Sequence, residues 1–161
     1  MSNTTDPTDR SGVRIFPPAI FLLGVAAGVL VARLWPAHLA PSSAVPAVRL
    51  MGWLLVGLWL FLNVWAVLTF RWQKTSPNPW RATSSLALRG PYMYTRNPMY
   101  LSLVLLQAGI ALVTNNLWVL LMLFPEVVVV QRAVIAREEA YLERKFGAEY
   151  TGYKARVRRW I

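Results

Sequence analysis

The sequence predicts an all-α integral membrane protein: a helical bundle of about four transmembrane helices followed by a C-terminal cytoplasmic amphipathic helical segment. Three observations carry this. The hydrophobic residues, 56% of the 161, fall into four long runs. The basic residues gather in the segments that four crossings would place on one side of a membrane. Tryptophans recur at the ends of the apolar runs, as in an interfacial aromatic belt.

Composition removes several alternatives. A chain this apolar, with 15% charged residues, buries its surface too readily to be disordered. The absence of cysteine excludes a disulfide scaffold, a thiolate metal site and a cysteine nucleophile. No metal site is expected. The formal net charge of +10 leaves nucleic-acid binding open until the charges are located.

In chain order, residues 1–14 read as a disordered cytoplasmic tail. Ile15–Ala32 runs eighteen residues without a charge. It is longer than the roughly 7–15 residues of a signal-peptide core, and no A-x-A cleavage site follows it. Leu50–Phe70 runs twenty-one residues, with Asn63 its only clearly polar side chain. Both runs meet the roughly 20 residues that a span requires, and they place transmembrane helices 1 and 2 within residues 15–72. Pro98–Val113 and Leu117–Val130 are shorter and read as a helical hairpin turning at Thr114-Asn115-Asn116. The four helices are expected near 15–35, 48–72, 97–114 and 117–136. Residues 73–161 comprise a cytoplasmic loop, helices 3 and 4, and a C-terminal segment.

Four crossings put fifteen of the seventeen Lys and Arg on one side, with only Arg33 and Arg49 opposite. The positive-inside rule makes that side cytoplasmic, so both termini and the 73–96 loop lie there. The charge is then topological and lipid-facing, and no nucleic-acid partner is expected. Trp35, Trp72, Trp80, Trp118 and Trp160 mark the belt. Gly24-x-x-x-Gly28 permits close helix approach, either within the bundle or in a homodimer. In the tail, Tyr150, Tyr153, Val157, Trp160 and Ile161 interleave with Lys154, Arg156, Arg158 and Arg159. Such a segment lies on an anionic membrane surface or closes over a site.

Chemistry is expected where polar groups persist beside apolar helices. The first place is Ser84–Tyr100. Gly90-Pro91 signals a turn, and Pro98 suits a first helical turn capped by Asn97. Helical spacing then sets Asn97, Tyr100, Val104 and Gln107 on one inward stripe. The second is Arg137-Glu138-Glu139. Neighbouring carboxylates point about 100° apart, so Glu138 is read as facing inward and Glu139 as pairing with a nearby Arg or Lys. The third is Glu126, after Pro125, an acid at membrane depth. It is expected to be protonated or hydrogen-bonded inside the bundle, with a substrate tunnel as the alternative. On a straight helix it would lie about 18 Å from Glu138 and face about 120° away, unless Pro125 kinks the helix.

Three ordered blocks then carry a resemblance: Gly90-Pro91-Tyr92-x-Tyr94-Thr95-Arg96-Asn97-Pro98-Met99-Tyr100, Glu138-Glu139-x-x-Leu142, and Phe146-Gly147-x-Glu149-Tyr150-x-x-Tyr153-Lys154-x-Arg156-Val157. Over residues 75–161 the chain resembles the isoprenylcysteine carboxyl methyltransferases and their phospholipid-methyltransferase relatives. The resemblance implies methyl transfer from S-adenosyl-L-methionine at the cytoplasmic face. It implies cofactor contacts at Ser84, Ser85, Leu86, Ala87, Tyr92, Asn97, Pro98, Met99, Tyr100 and Glu138. Arg96, Asn97 and Tyr100 would position the reacting groups, and residues 73–161 would form the catalytic region, its C-terminal segment covering the cofactor. Two positions depart from the pattern. Asn97 stands where eukaryotic members carry His, and it cannot shuttle a proton near neutral pH. Val134 stands where a substrate-contacting Arg is expected.

Two functions are therefore weighed. One is a methyltransferase acting on a lipophilic or small acceptor (a carboxylate, amine or thiol). The other is a non-enzymatic membrane assembly protein that kept the fold. The lack of cysteine and of an organelle-targeting pattern favours a bacterial inner membrane.

Overall fold

The computed structural model describes residues 16–72 and 86–161. The N-terminal tail, Ser84, Ser85 and Trp80 lie outside the described residues. Helix α1 spans Pro17–Leu34, α2 Val45–Trp72, α3 Pro98–Val113, α4 Leu117–Val129, α5 Ala136–Phe146 and α6 Ala148–Arg156. Short 3-10 turns occupy Ser42–Ala44 and Gly90–Met93. Among the described residues there is no strand.

The apolar runs become helices because a chain in hydrocarbon must satisfy its backbone internally. Pro17-Pro18 and Pro98 sit in first turns, where a missing N–H costs nothing. The hairpin between α3 and α4 turns at the expected residues. Asn115 takes the left-handed conformation (φ 49°), and Asn116 Oδ1 accepts from Trp118 N at 3.0 Å and Val119 N at 3.2 Å. The α1–α2 loop is pinned there, with Leu117 N donating to Ala37 O and Asn115 Nδ2 to Ala40 O.

Packing runs in the order α2, α3, α4, α1, with α3 interior and α1 resting mainly on α4. Polar residues of the apolar helices turn inward: Asn63 Nδ2 donates to Ser102 Oγ at 3.3 Å, and Gln107 Nε2 to Val119 O at 3.2 Å. The outward faces carry exposed Leu22, Leu23, Leu54, Phe61 and Phe124, as suits lipid rather than water. The Gly24-x-x-x-Gly28 face is filled within the chain by α4. A second small-residue contact joins α2 to α3, where Gly52 meets Gly109.

The structure differs from the four-span expectation in one respect. Pro17–Leu34, Ser42–Thr69 and Leu117–Phe146 are long and apolar enough to cross a membrane, whereas α3 has sixteen residues. That is about 24 Å of helix against a hydrocarbon core of about 30 Å. The fourth helix also runs beyond residue 136, because α4 passes into α5 without a break. Its irregularity lies not at Pro125 but in a π-helical stretch, Val130–Ile135. A π turn closes i to i+5 and takes up one residue more than an α turn. Glu126 and Glu138 then face within about 20° of each other rather than about 120° apart. Both point into the protein.

With Gly52, Gly28 should be among the least substitutable contacts. An added Cβ would lie 2.7 Å from Val119 N and Cα, which are backbone atoms with no freedom to yield. Gly28→Ala is expected to destabilise the bundle by about 1–3 kcal/mol, the usual range for overpacking. Gly57 has open space around it, so Gly57→Ala should be neutral or gain up to about 1 kcal/mol from helix propensity. Thermal unfolding of both variants in detergent micelles separates the two; equal effects would remove the packing argument.

Candidate functional site

The site is assembled from three pieces of chain: the segment entering α3, the start of α5, and the C-terminal tail. Gly90 takes φ 61°, a conformation that favours glycine, and a Cβ there would run into the Thr69 hydroxyl on α2. This seats the Gly90–Met93 turn against the end of α2. Trp65 and Tyr94 stack across it with ring centroids 6.3 Å apart. The chain then reaches α3 through buried Thr95 and Asn97, with Arg96 between them.

Tyr100, in the first turn of α3, donates its hydroxyl to Glu138 Oε1 on α5 at 2.7 Å. This bond joins the first two sequence blocks across thirty-eight residues. Neither acid of the Glu138-Glu139 pair is a solvated surface charge. Glu139, 6% exposed, meets Arg96 Nη1 at 3.3 Å. It also accepts Arg159 Nε at 3.1 Å on Oε1 and Arg159 Nη2 at 2.6 Å on Oε2. Arg159 is held firmly protonated by its hydrogen bond to Glu139.

Asn97 occupies the N-cap position of α3, but its side chain does not cap the helix. Its Nδ2 instead donates to Arg159 O at 2.9 Å, and Thr95 Oγ1 donates to the same carbonyl at 3.1 Å. Arg96 N donates to Arg158 O at 3.0 Å. The tail thus lies along Thr95–Asn97, and the first turn of α3 is left without a side-chain cap. Arg96 is nearly buried, yet its Nε has no hydrogen-bond partner among the described residues.

The C-terminal face also differs from the sequence reading. Tyr150 and Tyr153 are buried against the protein, not laid on lipid. Tyr153 donates to Tyr92 O at 2.8 Å. Burial first moves both phenols upward, helped by Glu139 at Tyr150 and by Tyr150 at Tyr153, with Arg96 opposing; Tyr150 is pushed up to about 12. Tyr92 is likewise raised, by burial, then Tyr153 and Glu138. All three remain neutral hydroxyls at physiological pH. Trp160 is no belt residue. Its Nε1 donates to Gln131 Oε1 at 3.2 Å, and it packs on the cluster of Phe21, Val130, Val134 and Ile135. Gly147, at φ 52° and ψ −123°, supplies the corner that sends α6 back toward the site.

The remaining expected residues are placed as follows. Pro98 is buried in the first turn of α3, and Met99 beside it is partly buried, its carbonyl accepting Ser102 Oγ at 2.7 Å. Tyr92 is buried in the Gly90–Met93 turn. Leu86 and Ala87 are partly buried in irregular chain ahead of that turn. Val134 lies in the core, and Arg132 and Arg137 are exposed on other faces. Sequence reasoning missed Thr95 and Arg159. The only local signal for Arg159 was its place in a basic run that also reads as lipid-facing.

A family model described as phospholipid methyltransferase matches residues 48–149, which include α2, α3, α4 and α5 but neither α1 nor the tail. A protein of Haemophilus influenzae (strain ATCC 51907 / DSM 11121 / KW20 / Rd), described as "Uncharacterized protein", is 46% identical over 65 residues. These are 39% of this chain and the whole of that protein. No solved structure matches. With more than half of its length matched, the motif-bearing helices included, the chain belongs to the phospholipid methyltransferase family, which is related to the isoprenylcysteine carboxyl methyltransferases its blocks resemble.

Proposed function

We propose that this protein is a membrane methyltransferase that uses S-adenosyl-L-methionine to methylate a lipophilic or small acceptor at the cytoplasmic face of a bacterial inner membrane. Members of the phospholipid methyltransferase family use that cofactor. The observation that carries the reading to this chain is the Tyr100–Glu138 hydrogen bond, with Arg96 and Glu139 beside it. It brings the family's two polar blocks to one point at the mouth of the helices.

The residues fit the cofactor's chemistry. Arg96 Nε is a buried donor without a partner among the described residues, suited to a carboxylate. The uncapped first turn of α3 offers N–H groups to the same anion. Tyr100 occupies one Glu138 oxygen and leaves the other to accept from an ammonium or from ribose hydroxyls. Tyr92 and Met99 supply apolar wall. When bound, the cofactor supplies an electrophilic methyl group on a sulfonium. The chain's part is alignment and exclusion of water. Asn97 orients by hydrogen bonding and holds no mobile proton, so a carboxylate acceptor is served without a general base. The tail covers the site from the cytoplasm.

The same reading sets topology. Four crossings place both termini and the 73–96 loop with fifteen of the seventeen basic residues on the cytoplasmic side. The short α3 is the interior helix, and a thinned bilayer or protein cover accommodates its length.

Isothermal calorimetry of the full chain in detergent with S-adenosylhomocysteine tests the cofactor site. Wild type should bind. Glu138→Ala should bind about 10–100-fold more weakly, the equivalent of the roughly 1.5–3 kcal/mol of a hydrogen bond to a charged group. No binding by wild type, or an unchanged affinity in Glu138→Ala, overturns the reading. The covering role is tested separately by analogue dissociation rates. Arg159→Ala removes the guanidinium but keeps the carbonyl held by Thr95 and Asn97, so release should quicken several-fold. Removal of residues 158–161 should quicken it further, and Arg159→Lys should rescue in part. Unchanged release after the deletion would remove the tail from the site.

A further inference from the structure

Helices α1, α3 and α4 meet around Glu126, an acid the methyl-transfer reading does not use. Glu126 is 6% exposed, and neither carboxyl oxygen has a hydrogen-bond partner among the described residues. Gly24 faces it, and a Cβ on Gly24 would fall on Glu126 Oε1. The polar group beside it is the Gln107 amide of α3, 1% exposed. One N–H of Gln107 Nε2 donates to Val119 O at 3.2 Å, and Gln107 Oε1 has no partner among the described residues. Turning the amide over would set its oxygen against the Val119 carbonyl, acceptor against acceptor.

The junction therefore holds three acceptor oxygens against one remaining N–H of Gln107 Nε2, which serves one carboxyl oxygen at most. Among the described residues, no basic side chain on these three helices stands near enough to supply another donor. Helix α1 has only Arg33, nine residues beyond Gly24, and neither Pro98–Val113 nor Leu117–Val129 contains Lys, Arg or His. An unpaired carboxylate in such a place is costly. A single proton resolves the deficit, because a carboxylic acid donates one hydrogen bond and Gln107 Oε1 is free to accept it.

We propose that Glu126 is a proton-binding site, held as the neutral acid with its hydroxyl donating to Gln107 Oε1, and that this bond fastens the α3–α4 pair beneath α1. Helix α1 lies outside the residues the family model matches, whereas Glu126 and Gln107 lie inside them. The site thus joins this chain's own N-terminal helix to the family's core. It is distinct from the Tyr100–Glu138 pair and does not depend on the methyltransferase reading.

Infrared difference spectroscopy of the full chain at neutral pH, wild type minus Glu126→Gln, tests it. Glu126→Gln keeps the side chain's size and an N–H for Gln107, so the fold should persist with an unchanged unfolding temperature. Glu126→Leu, which has no donor, should lower that temperature. The expected spectrum shows a carboxylic-acid carbonyl band that Glu126→Gln abolishes. Gln107→Leu should move that band to the position of an unbonded acid. A carboxylate band lost in place of the acid band overturns the proposal. A band that appears only with sodium or potassium would instead assign the place to a cation. An acid band unmoved by Gln107→Leu overturns the partnership even if Glu126→Gln fails to fold.

Discussion

The Glu139 carboxylate ties together three stretches that are remote in sequence. It sits at the start of α5, takes the Arg96 guanidinium from the approach to α3, and takes the Arg159 guanidinium from the end of the chain. Two cations share one buried anion, so each depends on it. For the buried Arg96–Glu139 pair, loss of one partner costs about 3–5 kcal/mol, because the remaining charge has little solvent to return to, whereas Arg159 is partly exposed and its pair contributes less. The neighbouring geometry follows from this clamp. With Arg159 fixed, its carbonyl receives Asn97 and Thr95, Trp160 reaches Gln131, and Glu138 on the adjacent position turns to Tyr100. The polar half of the protein is organised by charge and hydrogen bonding.

The apolar half is organised by shape. Hydrocarbon gives helices no hydrophobic reason to associate, so close contact depends on small residues and interhelical hydrogen bonds. Gly24 and Gly28 admit α4, Gly52 and Gly109 bring α2 onto α3, and Asn63 and Gln107 bond across helices. The two halves meet at the first turn of α3. There the helix leaves the membrane cluster and presents Tyr100 to Glu138.

Much of this was legible in the sequence, and what was not has a physical reason. Composition and run length gave the all-helical class, and the hairpin at Thr114-Asn115-Asn116 formed as its capping chemistry requires. The stripe through Tyr100, Val104 and Gln107 faces inward because 3.6-residue periodicity survives from sequence to structure. Arg159 was not legible. Its partner lies twenty residues away, and the approach depends on the corner at Gly147 and on where α6 comes to rest. The side chain of Asn97 has the chemistry of a cap, but a nearer carbonyl competes for it. The wide turn at Val130–Ile135 carries no Gly or Pro to announce it. With it, Glu126 and Glu138 face nearly the same way, which a single α-helical register would not allow.

That wide turn has a consequence for how the chain tolerates changes of length. A deletion within α4, or in α5 ahead of Glu138, would swing every later side chain by about 100° and separate Glu138 from Tyr100 and Glu139 from both arginines. A single deletion inside Val130–Ile135 is different, because the turn can rewind as ordinary α-helix and give up its surplus residue while the acids keep their directions. The six residues there are a reserve of slack in an otherwise rigid rod, and relatives one residue shorter at this point could keep the same constellation of side chains.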